Sequence, residues 1–172
     1  VREALQRLSR EGLVEILPRK GIKITEVGYE GGFLRVELAR TLLALMARTS
    51  AVRATSEQKQ AFADIATSFD RIAQTPELGL FMQFDKIMLN LLCEACHNEH
   101  VCRAMSLLAG ELRRIGYFHF QKHDDIAVYA RIRAELARAL DRGDPEAAET
   151  IVHQRMDYVE STLKGRTQTS TE

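Results

Sequence analysis

The sequence predicts an all-α chain: an antiparallel bundle of about six helices, preceded by one short helix and a β-hairpin. Three observations carry this. Leu, Ala, Arg and Glu dominate, aromatics make up 6 % and Trp is absent, a balance that favours helix. From residue 33 onward apolar residues recur at helical spacing, with caps, Gly and Pro between the periodic stretches. Alternation of the strand kind is confined to residues 13–25. With 172 residues, 45 % of them hydrophobic, the chain can bury the core of one medium domain beside a smaller piece.

The first helix is VREALQRLSREG, where Val1, Ala4, Leu5 and Leu8 fall at i, i+3, i+4, i+7 and make one apolar stripe. Gly12 is a natural stop. The runs LVEIL and IKIT follow, separated by Pro18-Arg19-Lys20-Gly21, which reads as a hairpin with a doubly basic tip. Val27-Gly28-Tyr29-Glu30-Gly31-Gly32 is a glycine-rich joint. Helices are expected near 33–49, 56–74, 76–96, 99–120, 125–142 and 145–164. Ser56 and Asp144 serve as N-cap candidates, and Pro76 and Pro145 as first helical residues. Arg142-Gly143-Asp144 reads as a tight turn between helices, and the polar stretch after Gly165 as a frayed tail.

Charge is unevenly spread. Residues 1–25 hold six Lys/Arg against three Glu, so +3; the whole chain is neutral, so the remainder carries −3. A basic head on an acidic body fits a DNA reader joined to a sensor. The three cysteines, Cys93, Cys96 and Cys102, are odd in number and clustered, unlike a secreted disulfide framework. No apolar run is long enough to span a membrane, so a cytoplasmic home is expected. Beginning with Val1 inside what reads as a helix, the chain is expected to be a fragment.

A helix followed by a basic hairpin is the layout of a winged helix. Arg2 and Gln6, four apart, share one helix face and can read base edges in the major groove. Arg19 and Lys20 are placed to meet phosphate. A solvated helix beside a surface hairpin would show the same spacing. The run V-R-E-A-L-Q-R-L-S-R-E-G-L-V-E-I-L-P-R-K-G-I-K-I-T closely resembles the second half of the GntR-family DNA-binding domain, without a gap over 25 residues. The resemblance implies operator contacts at Arg2 and at the wing residues Arg19, Lys20 and Gly21, with Gln6 and Arg7 as lesser candidates. The family's preceding helices are not in this sequence, so weak operator binding by this piece alone is expected.

Residues 33–164 resemble the all-helical FCD effector domain of the FadR-type branch of that family. Leu136-x-x-Ala139-Leu140-x-x-Gly143-Asp144-x-x-x-Ala148 carries the likeness. Phe84-Asp85, with Glu94-Ala95 and Asn98 downstream, is similar to a second family stretch, and the region of Arg35 fits loosely. Many members of the branch hold a divalent metal with one Asp and three His. Counted along this sequence, the aspartate is Asp85 and the histidine positions carry Leu89, Arg133 and Arg155. Leu cannot ligate a metal, and Arg stays protonated with no free lone pair. Two arginines instead suit a carboxylate or phosphate. The expectation is a metal-free pocket in which Arg133 and Arg155 anchor an anion, with Asp85 orienting one of them and Arg35 nearby. An Asp85–Arg ion pair that merely fills the bundle centre is the plainer reading.

Other motifs carry less. Cys93-Glu94-Ala95-Cys96-His97 fits the C-x-x-C-H pattern of haem attachment, but the segment ends an amphipathic helix in core-like company. Cys93, Cys96, His97 and His100 contain zinc-ligand types, though on one helix Cys93, His97 and His100 share a face while Cys96 points less well. His119, His123 and His153 read as surface or pocket-lining groups, and Tyr117, Phe118 and Phe120 as core. No nucleophile–base constellation or phosphate loop stands out.

The combined expectation is a partial winged helix at 1–26, a linker at 27–32, an effector-binding and dimerising domain at 33–165 and a flexible tail at 166–172. The protein would be a homodimeric transcription regulator, not an enzyme, without cofactor. Its partners would be operator DNA and a small organic acid: a sugar acid, a short dicarboxylate or an acyl-CoA, with a compact acid favoured. A metal-dependent effector domain of the same family and a helical-bundle enzyme acting on a small acid are the alternatives.

Overall fold

The structure is a computed structural model that describes residues 2–10, 12–18, 20–25, 29–120 and 123–169, with side chains except at 29–32, 118–119, 123–124 and 162–169. Seven helices and one two-stranded sheet are found among the described residues: α1 (Arg2–Arg10), β1 (Val14–Leu17), β2 (Gly21–Ile24), α2 (Tyr29–Arg53), α3 (Ser56–Gln74), α4 (Leu78–Ala95), α5 (Glu99–His119), α6 (His123–Arg142) and α7 (Pro145–Thr169). The predicted helical bundle behind a helix and hairpin is therefore the observed architecture, with α2 to α7 as the six bundle helices. Of the glycine-rich joint, 27 and 28 lie outside the described residues, and the backbone from Tyr29 to Gly32 is the first turn of α2.

The hairpin strands pair antiparallel with Val14 opposite Ile24, Glu15 opposite Lys23 and Ile16 opposite Ile22. An acid facing a base across the ladder and a β-branched pair beside it both favour this register. None of the described residues of α1 is buried, and Ile16, Ile22 and Ile24 stay exposed.

Local chemistry sets the helix ends. Thr55, one residue before the predicted Ser56, caps α3: its hydroxyl accepts from Gln58 N while the Gln58 side chain accepts from Thr55 N. That reciprocal box needs a Gln or Glu three residues on, which Thr55 has and Ser56 lacks. Pro76 precedes α4 and does not start it; the helix begins at Leu78 with Glu77 at the cap. Asp144 caps α7 as predicted, accepting from Ala147 N at 3.0 Å, with Pro145 first in the helix. At the other side of that turn Gly143 (φ +70°) ends α6: its N–H reaches Leu140 O and the Asp144 N–H reaches Ala139 O. This pairing requires the left-handed backbone that glycine adopts without strain. A Cβ at Gly143 would also press on Ala51 O at 3.2 Å.

Within the bundle α3 packs along α6 and α2 along α7, with α4 and α5 completing the walls. The core runs through all six helices, with Met46, Phe62, Phe69, Phe81, Met88 and Tyr129 fully enclosed. Phe81, Phe120 and Tyr129 meet edge to face, the last two with ring centroids 4.4 Å apart. No described helix is long and apolar enough to cross a membrane.

Candidate functional site: a cationic cavity inside the bundle

A cavity opens between α2, α4, α5, α6 and α7. Helical spacing explains who lines it. On α4, Met82, Asp85, Lys86 and Leu89 project from successive turns; on α6, Tyr129 and Arg133 lie one turn apart; α7 adds Arg155, Met156 and Val159. The α5 wall is Met105, Ala109, Leu112, Arg113, Ile115 and Gly116, with Phe120 just beyond, and α2 contributes Val36 and Leu43. Asp85, Leu89, Arg133 and Arg155, the four positions singled out by counting along the sequence, thus share one cavity.

The charged end has a specific arrangement. Arg133 is almost fully enclosed, and its Nε donates to Asp85 Oδ1 at 2.6 Å while Nη2 pairs with the same oxygen. One cation and its carboxylate are therefore matched. Arg155 is not. Its Nε is buried without a hydrogen-bond partner, and its Nη1 reaches only the Met156 sulfur, 3.6 Å away. Burial, reinforced by the neighbouring Arg133 charge and opposed by Asp85 and Tyr129, lowers the Arg155 pKa to about 10. At neutral pH it remains a guanidinium, held in a place that disfavours its charge. An anion arriving there would supply the missing acceptor.

Arg35 lies outside this lining: its Nε pairs with Glu111 of α5. That pair stands against the N-terminal piece, because a Cβ on Gly12 (φ +70°) would collide with the Glu111 carboxylate. One turn along, Arg114 donates to Thr25, to its hydroxyl at 3.0 Å and to its carbonyl. Among the DNA-contact candidates Arg2, Gln6, Arg7, Lys20 and Gly21 are exposed, while Arg19 lies outside the described residues. Lys86, Arg113, Arg114 and Tyr129 were not singled out by sequence reasoning. Tyr129 had a signal, one turn before Arg133 on the same face; Arg114 had none, since its partner is 89 positions away.

The residues do not fit the divalent metal that the family resemblance implies. Asp85 is the sole donor at the four positions, its carboxylate already engages Arg133, and the Arg155 guanidinium would repel a cation. Among the described residues no group of three or more His, Cys, Asp or Glu is arranged to hold a metal. At the α4–α5 turn the Cys96 and Cys102 sulfurs are 3.6 Å apart, and Cys102 donates to Cys93 O. Burial raises all three thiol pKa values, so these are protonated packing groups. His97 and His100 are exposed beside them, and His153 is partly exposed near Glu149. Asn98, matched only by likeness in the sequence, caps α5 by accepting from His100 N and Val101 N. The side chains of Phe118, His119 and His123 lie outside those described.

Residues 36–158 match the family model described as FCD domain. No curated protein matches the sequence. Three solved structures share the architecture. E. coli McbR/YncC superposes with a TM-score of 0.82 at 13 % identity, over 96 % of this chain and 84 % of that one. A structure concerning Lar, described as controlling expression of the Listeria monocytogenes agr system, gives 0.67 at 11 % identity over 95 % and 78 %. Streptococcus agalactiae GntR gives 0.55 at 16 % identity over 95 % and 80 %. At such identities the likeness establishes the fold.

Proposed function

The chain belongs to the FCD-domain family, and from that premise we propose that it is the sensing part, with a piece of the DNA-reading part, of a GntR-type transcription regulator. A carboxylate-containing metabolite binds in the bundle and alters operator affinity. The observation that carries the reading is Arg155: a guanidinium with a buried, unpartnered Nε at the wall of a cavity, beside an Arg133–Asp85 pair that is already matched. Unpaired buried donors cost stability and are rarely kept for packing alone.

In this reading Arg155 and Arg133 form the anion anchor and Asp85 holds Arg133 in place; Arg35 acts at the edge of the domain through Glu111. Residues 1–26 form the DNA-reading piece, with Arg2, Gln6, Arg7, Arg19, Lys20 and Gly21 at the operator, and 33–165 the effector domain. The protein works in the cytoplasm as a homodimer, for which α2 supplies an unpartnered face: Leu34, Leu38, Leu45 and Val52 are exposed at steps of four, seven and seven. The function is sensing and not turnover.

The test is thermal unfolding of metal-stripped protein against a panel of carboxylic acids, with zinc and nickel as separate additions. A specific acid should raise the midpoint with concentration. Arg133→Ala should weaken that response, and Arg155→Met should abolish it. A response unchanged in Arg133→Ala, or stabilisation by metal alone, sinks the anchor.

A further inference from the structure

The chemistry of the cavity wall goes further than the charge at its end. We infer that the acid it takes is an amphiphile: a monocarboxylate whose body is a hydrocarbon chain or an aromatic group. The inference rests on the reading of this cavity as the effector site. It departs from the compact or hydroxylated acid that two arginines alone would suggest.

Three features carry it. The first is the scarcity of hydrogen-bonding groups. Among the described residues the lining contains no Ser, Thr, Asn, Gln or His, and Tyr129 is the one neutral polar side chain there. Each hydroxyl of a sugar acid would lose water on entering and find no side-chain partner, a penalty that discriminates strongly against such ligands. The second is the character of the remaining wall. Leu89, Met105, Leu112, Ile115 and Met156 present an apolar surface that a short hydrophilic acid would not cover. Methionine side chains adapt to ligands of varied shape. The third is the charge count. Asp85 already matches Arg133, so one unmatched cation, Arg155, remains inside for one anionic head. The other cations of the lining, Lys86 and Arg113, are exposed and water-solvated, so a second carboxylate would gain little from them.

The experiment is titration of the metal-stripped chain with matched acids, read as dissociation constants and unfolding midpoints. The probes are butanoate, hexanoate, octanoate, phenylacetate, gluconate, malonate and citrate, with methyl octanoate as the uncharged control. Affinity should rise about three- to fourfold per added methylene along the alkanoates. Gluconate, malonate and citrate should give no shift at concentrations where octanoate does. Ala109→Phe, which adds bulk to the α5 wall, should shorten the longest chain accepted.

Gluconate or malonate binding as well as octanoate overturns the amphiphile and leaves the arginine anchor standing. Alkanoates that bind with no dependence on chain length, in the native chain or in Ala109→Phe, overturn it too. Methyl octanoate binding as well as octanoate removes the anchor itself. No response to any acid removes both readings.

Discussion

Arg114 of α5 grips Thr25, the residue that follows β2, by donating to both its hydroxyl and its carbonyl. Its neighbour Arg113 lines the cavity, and Glu111, two residues further back, packs against Gly12. One helix thus touches the cavity with one face and the N-terminal hairpin with another. Differential contacts of this kind are what a sensor needs to carry a bias between two sites. Arg114→Ala should free the hairpin: amide exchange across residues 14–24 should quicken while α3 and α6 keep their protection. Gly12→Ala should do the same, since its Cβ meets Glu111 and its φ is left-handed. Unchanged hairpin exchange in both variants would show that α5 does not hold the wing.

The Asp85–Arg133 pair predicts an asymmetric mutational response. Asp85→Ala leaves the enclosed Arg133 guanidinium without a counter-charge and in the repulsive field of Arg155, and should cost about 3 kcal/mol or more. Added carboxylate should recover more stability in Asp85→Ala than in the native chain, because it replaces a missing partner. Chemical denaturation with and without octanoate measures both effects. A loss well under 1 kcal/mol would mean that water, and not Asp85, satisfies Arg133.

The cavity positions were legible through the resemblance to the FCD pattern, while much around them was not. Arg133 and Arg155 each lie eleven residues from Asp144, on helices joined at that turn. Eleven residues are just over three full α-helical turns, so a position counted from the turn keeps its face even when helix ends shift slightly. Asp85 and Leu89 are likewise one turn apart. Helix ends were less legible. Thr55 and Ser56 are both good caps, and only the reach of Gln58 decides between them. Pro76 suits a first helical position, yet α4 starts two residues later. Contacts that close over long sequence distance left no local pattern at all. Arg35–Glu111 and Arg114–Thr25 are of this kind, as is the Arg53 bond to Cys96 O.

The exposed stripe on α2 makes a prediction about assembly. Leu34, Leu38, Leu45 and Val52 are 70, 49, 42 and 69 % exposed, an unusual density of large apolar groups for one helix face. Steps of four and seven keep them in line, as in helices that pair. Replacing Leu38 and Leu45 together by Glu should convert a dimer to a monomer in sedimentation, with helical content unchanged because neither side chain belongs to the core. A double variant that stays dimeric places the interface elsewhere.

Arg155 sets ligand response against stability. Its pKa is lowered relative to an unfolded arginine, so the unfolded chain holds the proton more tightly. The resulting destabilisation is fully present below pH 10, where both states are protonated, and would ease only as pH rises through the folded-state value of about 10 towards the ordinary arginine range. Arg155→Met should therefore raise the stability of the ligand-free protein, by about 1–3 kcal/mol for a buried unpaired donor. The gain should be the same at pH 6 and pH 9. The same variant should lose its response to octanoate, because the head group has no unmatched cation left to meet. Denaturation at both pH values, with and without octanoate, reads all of this in one series. A variant that is more stable and yet still responds would assign the anion to Arg133 alone. A variant that is less stable would mean that Arg155 already has a satisfying partner in the free protein, and the cavity would then lack the unmet charge on which ligand capture depends.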